Sequence, residues 1–180
     1  MDRAVPFGSL EYFVFLLLML FSRSTDFLST WIATPNLVLE ANPIARKLRW
    51  RWGIALNVVL CLGFACWPLT AIIISTTSVL VAARNFQQAW IMRSHGEDNY
   101  RLWIGERLGE TPPGLFLFCL LGQTSLPAAV GAALILFSRF EQEVPLGIGM
   151  GIVGYSVAIA IYTLIALVRN RRMTRYAQKG

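Results

Sequence analysis

Apolar residues are gathered into long blocks along this chain, and short polar stretches separate the blocks. A helix crosses the hydrocarbon core of a bilayer with about 20 apolar residues. Four blocks reach that length, and they cover residues 9–34, 54–83, 114–137 and 144–168. The pattern therefore predicts an all-α protein, with a single integral membrane domain over residues 1–180 that forms a four-helix transmembrane bundle.

The second block, residues 54–83, contains no charged residue and is longer than one crossing needs. Its 30 residues would make a helix ~45 Å long, which is too short for two crossings. Pro68 lies near its middle, and a proline inside a helix produces a kink. We therefore expect one kinked, tilted helix whose end leaves the membrane.

One sizeable polar segment, residues 84–113, connects the second and third blocks. It contains four arginines and four acidic residues, so its net charge is zero. Its apolar residues recur at helical spacing on both sides of a break at His95 and Gly96. We expect an amphipathic helical hairpin that lies at the membrane surface between helices 2 and 3.

The charged residues are few and lie mostly outside the apolar blocks. They make up 14% of the chain, against about 25% in soluble domains. The net charge is +6, but the basic residues lie at the edges of the blocks, which is typical of membrane orientation and of contact with anionic lipid headgroups. We expect the bilayer and its anionic headgroups as partners, and no nucleic acid.

Four crossings would put both termini on one side of the membrane. That side would hold ten Lys and Arg residues and the other side five, so the positive-inside rule predicts cytoplasmic termini in a multi-pass protein of the cell membrane. The dense basic cluster at residues 46–51 counts against this orientation. Trp50 and Trp52 interleave with that cluster, which is typical of a short interfacial helix.

The cysteines and the histidine predict no metal site and no cofactor. The three cysteines (Cys61, Cys66, Cys119) lie in apolar segments and form no C-x-x-C pair. His95 is the only histidine. We expect the cysteines to act as small packing residues.

The first block carries two charges, Arg23 and Asp26, at membrane depth. Together with Met19 and Thr30 they recur at steps of four, three and four, so these residues share one helix face. Arg23 can pair with Asp26, and Thr30 can hydrogen-bond it. Two interpretations stay open. The pair neutralises itself and specifies packing, or it belongs to a proton- or ligand-binding site, because ionisable groups inside membranes often mark such sites.

A polar loop follows this helix and contains the run Glu40-Ala41-Asn42-Pro43. Asn42 precedes a proline, which disfavours helical backbone and suits a turn. The loop could fold back over the helix end and bring Glu40 towards Asp26, where two neighbouring carboxylates would raise the pKa of one of them or hold a cation. Otherwise Glu40 is a solvated loop residue, and Asn42-Pro43 simply starts an interfacial helix.

The run from Asp26 to Thr30, followed by the Glu40-Ala41-Asn42-Pro43 run and a basic stretch with tryptophans, resembles a family of small prokaryotic membrane proteins of unknown function. Those proteins share an intramembrane D-x-x-[S/T]-T element followed by E-x-N-P. The resemblance covers about the first 60 residues. It implies that one unit contains Asp26, Thr30, Glu40, Asn42 and Pro43. Arg23 precedes the pattern and would be a local counter-ion.

Polar and small residues on the later helices have mostly packing roles in this interpretation. Asn57 is the exception, because it would lie on the same membrane side as Asp26 and could complete a site. The fourth block carries a stripe of small residues at steps of four, three and four: Gly147, Gly151, Gly154 and Ala158. Such a stripe lets helix backbones approach closely, either within the chain or in a homo-oligomer.

Three functions remain open at this point. We favour binding or transport of a small ligand, a proton or a cation at the intramembrane carboxylates, because proline-interrupted helices often line such sites. The alternative is a non-catalytic assembly subunit that binds a membrane partner protein. An intramembrane lipid-modifying enzyme is the least favoured, because the chain shows no nucleophile–base pair, metal set or phosphate loop.

Overall fold

The computed structural model describes residues 4–40 and 42–177, with side chains up to Val168. Within these residues the chain is all-α, as predicted, and has no strand. The helices are α1 (Leu10–Ala33), α2 (Pro43–Phe64), α3 (Pro68–His95), α4 (Glu97–Glu110), α5 (Pro113–Phe137) and α6 (Glu143–Ala177). Four of them, α1, α3, α5 and α6, are long and apolar enough to cross a membrane.

The first and third apolar blocks became helices with nearly the predicted bounds, and the fourth became a helix with nearly the predicted start. Ser9 caps α1, and its Oγ accepts a hydrogen bond of 3.2 Å from the backbone N–H of Tyr12. Pro113 begins α5 in the first helical turn, where its missing N–H costs nothing. α6 begins at Glu143, one residue before the predicted start, and continues to Ala177, nine residues beyond the predicted end.

The prediction of one helix over residues 54–83 is wrong, because α2 ends at Phe64 and α3 begins at Pro68. Trp67 precedes the proline and has extended backbone angles, φ −119° and ψ 99°, as the proline ring requires. Pro68 then fits the first position of a new helix. The proline therefore separates two helices here and does not kink one.

The chain reverses direction at this break. Gly53 of α2 packs against the Phe27 ring, whereas Leu62 accepts a 3.1 Å hydrogen bond from the Tyr12 hydroxyl, so α2 runs antiparallel to α1. In contrast, α3 runs parallel to α1, because Ala71 packs near Met19 and Asn85 bonds Thr30. The chain therefore runs back along α2 after α1, and then continues along α3 in the same direction as α1.

The four long helices pack in the order α1–α3–α6–α5, which we call the row. Gly147 lies against Ile72 and Gly151 against Thr76, so α6 runs parallel to α3. α5 pairs antiparallel with α6. We call the end of the row near Val5 and Trp67 the lower end, and the end near Ala33 and His95 the upper end.

The described residues before α1 lie at the lower end of the row, and α6 ends at the upper end. The expectation of both termini on one side assumed four alternating crossings, with the second running opposite to the first. The row does not have this arrangement, because α1, α3 and α6 all run from the lower to the upper end. The physical reason is the reversal at residues 65–67, where the proline pattern predicts a kink and the structure has a break between two helices.

Small residues bring α1 and α3 close together. Ser22 and Ser29 of α1 are fully buried, and so are Ala71, Ala82 and Ala89 of α3. Side chains of this size let two helix backbones approach closely. Each serine hydroxyl donates to a carbonyl of its own helix, at 3.0 Å from Ser22 and 2.8 Å from Ser29, so this interface leaves neither hydroxyl unpaired.

The predicted break at His95 and Gly96 is present, and Gly96 has φ +76°, which suits glycine. On its C-terminal side, α4 contacts α3 and α6 at the upper end of the row. On its N-terminal side, residues 84–95 continue α3 without interruption. This continuation gives α3 its full length, because residues 68–83 alone would be a short span.

Candidate functional site

Arg23 is the centre of a polar cluster that joins α1, α2 and α3. Its Nε donates to Oδ1 of Asn57 at 2.7 Å. Its Nη1 donates to Oδ2 of Asp26 at 2.8 Å and to Oγ of Ser78 at 3.0 Å. Asn57 in turn donates from Nδ2 to the Gly53 carbonyl at 2.8 Å, which fixes the orientation of its amide. We call these four side chains the Arg23 cluster: Arg23, Asp26, Asn57 and Ser78.

The predicted pairing of Arg23 with Asp26 is present as an ion pair. The Arg23 side chain is 27% exposed and the Asp26 side chain 16%. The guanidinium also lies over the Phe27 ring, with its carbon 5.7 Å from the ring centroid. These contacts hold the guanidinium in one orientation, with one edge towards Asp26.

The loop after α1 folds back, and Glu40 acts on Asp26. The Trp50 indole Nε1 donates to the Pro35 carbonyl at 2.8 Å, and Thr34 Oγ1 accepts from the Leu39 N–H at 3.1 Å. Glu40 lies near enough to Asp26 for the two carboxylate charges to interact. The loop therefore folds back over the end of α1, whereas a direct contact between the two carboxylates stays a prediction.

Asn42 has the structural role that its place before Pro43 indicated. Its Oδ1 caps α2 by accepting from the N–H groups of Ile44 at 2.9 Å and Ala45 at 3.4 Å. Its own N–H donates to Oε1 of Glu40 at 2.7 Å. Asn42 is thus a positioning residue, since the bond to its backbone orients the Glu40 carboxylate. The residue between them, Ala41, lies outside the described residues.

Thr30 makes a different contact from the expected one. Its Oγ1 accepts from Nδ2 of Asn85 at 3.2 Å, and the same amide nitrogen donates to Ser29 Oγ at 3.3 Å. The hydroxyl that reaches Asp26 is that of Ser29, which donates to the Asp26 backbone carbonyl at 2.8 Å. Thr30 therefore joins α1 to α3 on the upper side of the cluster and does not bond the carboxylate.

Sequence reasoning missed two residues of the site, Ser78 and Asn85. Ser78 belongs to the Ser75-Thr76-Thr77-Ser78 run, which was given only a packing role. Asn85 lay beyond the predicted end of the second helix, so it was assigned to the surface hairpin. The helical period of α3 is the signal that could have found them, because Ser75, Ser78, Ala82 and Ala89 form one buried face.

Asp26 is the charged group that connects the two parts of the site. Its carboxylate bonds the Arg23 guanidinium at 2.8 Å and lies near enough to Glu40 for the two carboxylate charges to interact. Among the residues with described side chains, no three His, Cys, Asp or Glu residues come together in a way that could hold a metal ion.

The small residues of α6 pack within the chain. A Cβ added at Gly151 would lie 2.7 Å from the Cβ of Thr76, and one added at Gly147 would lie 2.8 Å from Cγ2 of Ile72. The Thr77 hydroxyl donates to the Gly151 carbonyl at 3.0 Å. Gly154 has more room, and Ala158 is half-buried on the same helix. Gly147 and Gly151 are thus occupied by α3.

No model of a known protein family, no curated protein and no solved structure matches this chain. The resemblance to a family of small membrane proteins therefore stays a prediction.

Proposed function

We propose that this chain is an integral membrane protein that binds one proton, or one small monovalent cation, between Asp26 and Glu40. The observation that carries this proposal is the Asp26 carboxylate, which is only 16% exposed, bonds Arg23, and lies near enough to Glu40 for the two charges to interact. Arg23 orients this carboxylate. Ionisable groups inside a membrane often mark ion pathways, so transport of the bound ion is the use that a membrane location favours.

The depth of the Arg23 cluster supports an intramembrane site. Trp67 and Trp90 are exposed near opposite ends of α3, as expected of aromatic anchors at the two membrane interfaces. Ser78, which bonds Arg23, is eleven residues from Trp67 and twelve from Trp90. At 1.5 Å per residue both separations are about 17 Å, so the ion pair lies close to the midplane.

We further propose that α2 crosses the membrane and that the chain makes five crossings. The parallel directions of α1 and α3 require the chain to return between them. Residues 53–67 contain no charge, and Trp50 and Trp67 flank them as anchors. From Trp50 to Phe64 the helix is ~21 Å long. The turn at residues 65–67 adds to this length, and local thinning of the bilayer accommodates a short crossing.

Five crossings also remove the conflict in the distribution of basic residues. The lower side then holds two, Arg3 and Arg139. The upper side holds twelve: Arg46, Lys47, Arg49, Arg51, Arg93, Arg101, Arg107, Arg169, Arg171, Arg172, Arg175 and Lys179. Arg23 and Arg84 lie within the proposed spans and are left out of this count. Arg3 and Lys179 lie outside the described residues and are counted by their place in the sequence. The positive-inside rule then assigns the upper end to the cytoplasm, with the C-terminus inside and the N-terminus outside.

Infrared spectroscopy of the protein in lipid nanodiscs tests the ion site. A protonated carboxylic acid has a C=O stretching band that disappears on ionisation. As the pH is raised we expect the wild type to lose one such band that is absent from both Asp26→Asn and Glu40→Gln. Addition of Na⁺ or K⁺ at fixed pH distinguishes a proton site from a cation site, because a bound cation would displace the proton and remove the band.

Glu97→Gln is the matched control, since Glu97 is a carboxylate at the upper end of the row that bonds the Asn36 N–H and lies outside the cluster. It should retain the band. Identical titrations of wild type, Asp26→Asn and Glu40→Gln, with no effect of cations, would overturn the proposal. Ion flux into proteoliposomes, measured with wild type and Asp26→Asn, separates transport from binding alone.

A second candidate function is that of a non-catalytic assembly subunit, and one observation favours it. Arg23 bonds side chains of three helices, which is what a residue that fixes helix register would do. In that case the carboxyl band would be missing, while Asp26→Asn would still weaken the fold. Co-purification of one stoichiometric membrane protein with the wild type would support this function.

A further inference from the structure

The helix α5 lies at one edge of the row, and only one of its sides is covered. Among the described helices it contacts α6 alone. Leu120, Thr124 and Gly131 are buried on that side, and a Cβ added at Gly131 would lie 2.7 Å from the Gly149 carbonyl oxygen. In a monomer, the rest of the α5 surface would face lipid.

One polar side chain, that of Gln123, lies on the uncovered surface near the middle of α5. It is exposed, and its carboxamide makes no hydrogen bond with any residue whose side chain is described. Gln123 is ten residues after Pro113 and fourteen before Phe137, which places it ~15 Å and ~21 Å from the two ends of the helix. The hydrocarbon core of a bilayer is about 30 Å thick, so this carboxamide lies well inside it.

Pro127 leaves a second polar group without its usual partner at the same depth. A proline has no N–H, so the carbonyl four residues before it, that of Gln123, loses its donor within the helix. No described side chain donates to this carbonyl. Lipid offers no hydrogen bond, and groups freed in this way are usually satisfied by a neighbouring helix. Since α6 does not bond either group, both point to a helix outside this chain.

The residues around Gln123 form a stripe that suits packing against another helix. Alternating steps of four and three along α5 give Cys119, Gln123, Leu126, Val130, Ala133 and Phe137. This alternation is the heptad pattern of two helices that pack along their length. All six side chains are exposed or half-buried, so the described part of the chain leaves the stripe uncovered. We call these six residues the α5 seam.

We propose that a second copy of this chain packs on the α5 seam, and that the two Gln123 carboxamides bond each other across a two-fold axis. Copies inserted in the same direction are related by an axis along the membrane normal, so their α5 helices run parallel and seam residues meet their own counterparts. A carboxamide both donates and accepts, so Gln123 is complementary to itself. The partner is therefore a second copy, since a different protein would have to supply a matching polar residue at the same depth.

The two copies also account for the carbonyl that Pro127 frees. Each carboxamide has two N–H groups, so one can bond the carboxamide of the other copy while the second remains for a freed carbonyl. A single polar residue in an apolar seam also fixes the register and the number of the helices. The dimer does not depend on the proposed ion site, because α5 contributes no residue to the Arg23 cluster.

Disulfide cross-linking in membranes tests which side of α5 meets the partner. In a chain without its three native cysteines, Leu126→Cys puts a thiol in the seam, and Leu121→Cys puts one on another side of the same helix. The two leucines are 71% and 64% exposed, so the variants are matched. A disulfide needs Cα atoms within about 7 Å, so with copper phenanthroline we expect about tenfold more covalent dimer from Leu126→Cys. Equal cross-linking of both variants, or none with either, would overturn the proposal.

The strength of the dimer tests the role of Gln123. Energy transfer between labelled copies, followed as the protein is diluted in liposomes, gives the dissociation constant. Gln123→Leu should raise it about tenfold, which is the effect expected from two hydrogen bonds between membrane helices. Ser125→Ala also removes a polar group from an exposed position of α5, but lies outside the seam and should behave as wild type. An unchanged dissociation constant in Gln123→Leu would refute the bond, and a wild type that stays monomeric at every dilution would refute the dimer.

Discussion

The Nε–H of Arg23 donates a 2.7 Å hydrogen bond to Oδ1 of Asn57, and this bond fixes α2 against α1. Among the described residues, it is the side-chain hydrogen bond that joins Arg23 to α2, whose outer side is covered with exposed apolar residues. The reversal of the chain depends on α2 lying beside α1. The bond therefore also supports the directions of α3 and of the helices that follow it. A residue expected only to complete a site thus helps to determine the topology.

Replacing Asn57 should weaken the fold. Asn57→Leu leaves the Arg23 Nε without its acceptor, and hydrogen bonds to charged groups contribute about 1.5–3 kcal/mol. We expect a loss of that size in the free energy of unfolding, measured by denaturant titration in mild detergent. Val58→Leu, at an exposed position of the same helix, is the control and should change little. Equal stability of Asn57→Leu and wild type would show that the bond contributes nothing to the fold.

Removing one partner of the ion pair should cost more than removing both. Arg23→Met leaves the Asp26 carboxylate uncompensated in a largely buried position, a change that typically costs about 3–5 kcal/mol. Arg23→Met combined with Asp26→Leu has no buried charge and should recover much of that loss. Unfolding measurements on the single and double variants form a double-mutant cycle. If the effects of the two substitutions simply add, the pair is not coupled.

The long apolar blocks made the helices predictable, because membrane helices satisfy their own backbone hydrogen bonds and need only length and apolar character. Ser9, Pro35 and Pro113 lie beside or at the ends of the predicted helices, and the bounds there were nearly right. The pairing of Arg23 with Asp26 was also predictable, since i, i+3 neighbours on one helix meet whatever the rest of the chain does.

What could not be predicted depends on contacts between helices. The same local signal, a proline in an apolar run, produces a kink or a reversal, and at Pro68 the packing of Cys61 and Ala71 around Met19 accompanies a reversal. The partners of Arg23 outside α1 depend on that reversal of the chain. Ser78 and Asn85 reach α1 only because α3 is parallel to it, and no spacing within the sequence states that direction.

The glycines of α6 should differ sharply in their tolerance of a larger side chain. A Cβ at Gly151 would lie 2.7 Å from Thr76, so Gly151→Ala forces α3 and α6 apart, and such overpacking typically costs about 1–3 kcal/mol. Gly154→Ala is the matched control on the same helix, because its Cβ would meet only the Thr77 hydroxyl at 3.6 Å. That change should be neutral or should stabilise the protein by about 0.5–1 kcal/mol through helix propensity. Thermal unfolding in detergent compares the two. The packing of α6 on α3 would be contradicted if Gly151→Ala were as stable as Gly154→Ala.

Labelling of two engineered cysteines distinguishes five crossings from four. Lys47 lies near the start of α2, at the upper end, and Arg139 lies between α5 and α6, at the lower end. With four alternating crossings both positions would be on the same side of the membrane, whereas with α2 as a crossing they are on opposite sides. In a background without Cys61, Cys66 and Cys119, a membrane-impermeant thiol reagent added to intact cells should label Arg139→Cys and not Lys47→Cys. Permeabilised cells provide the control, since both positions should then react. Labelling of both positions, or of neither, in intact cells would mean that α2 does not cross.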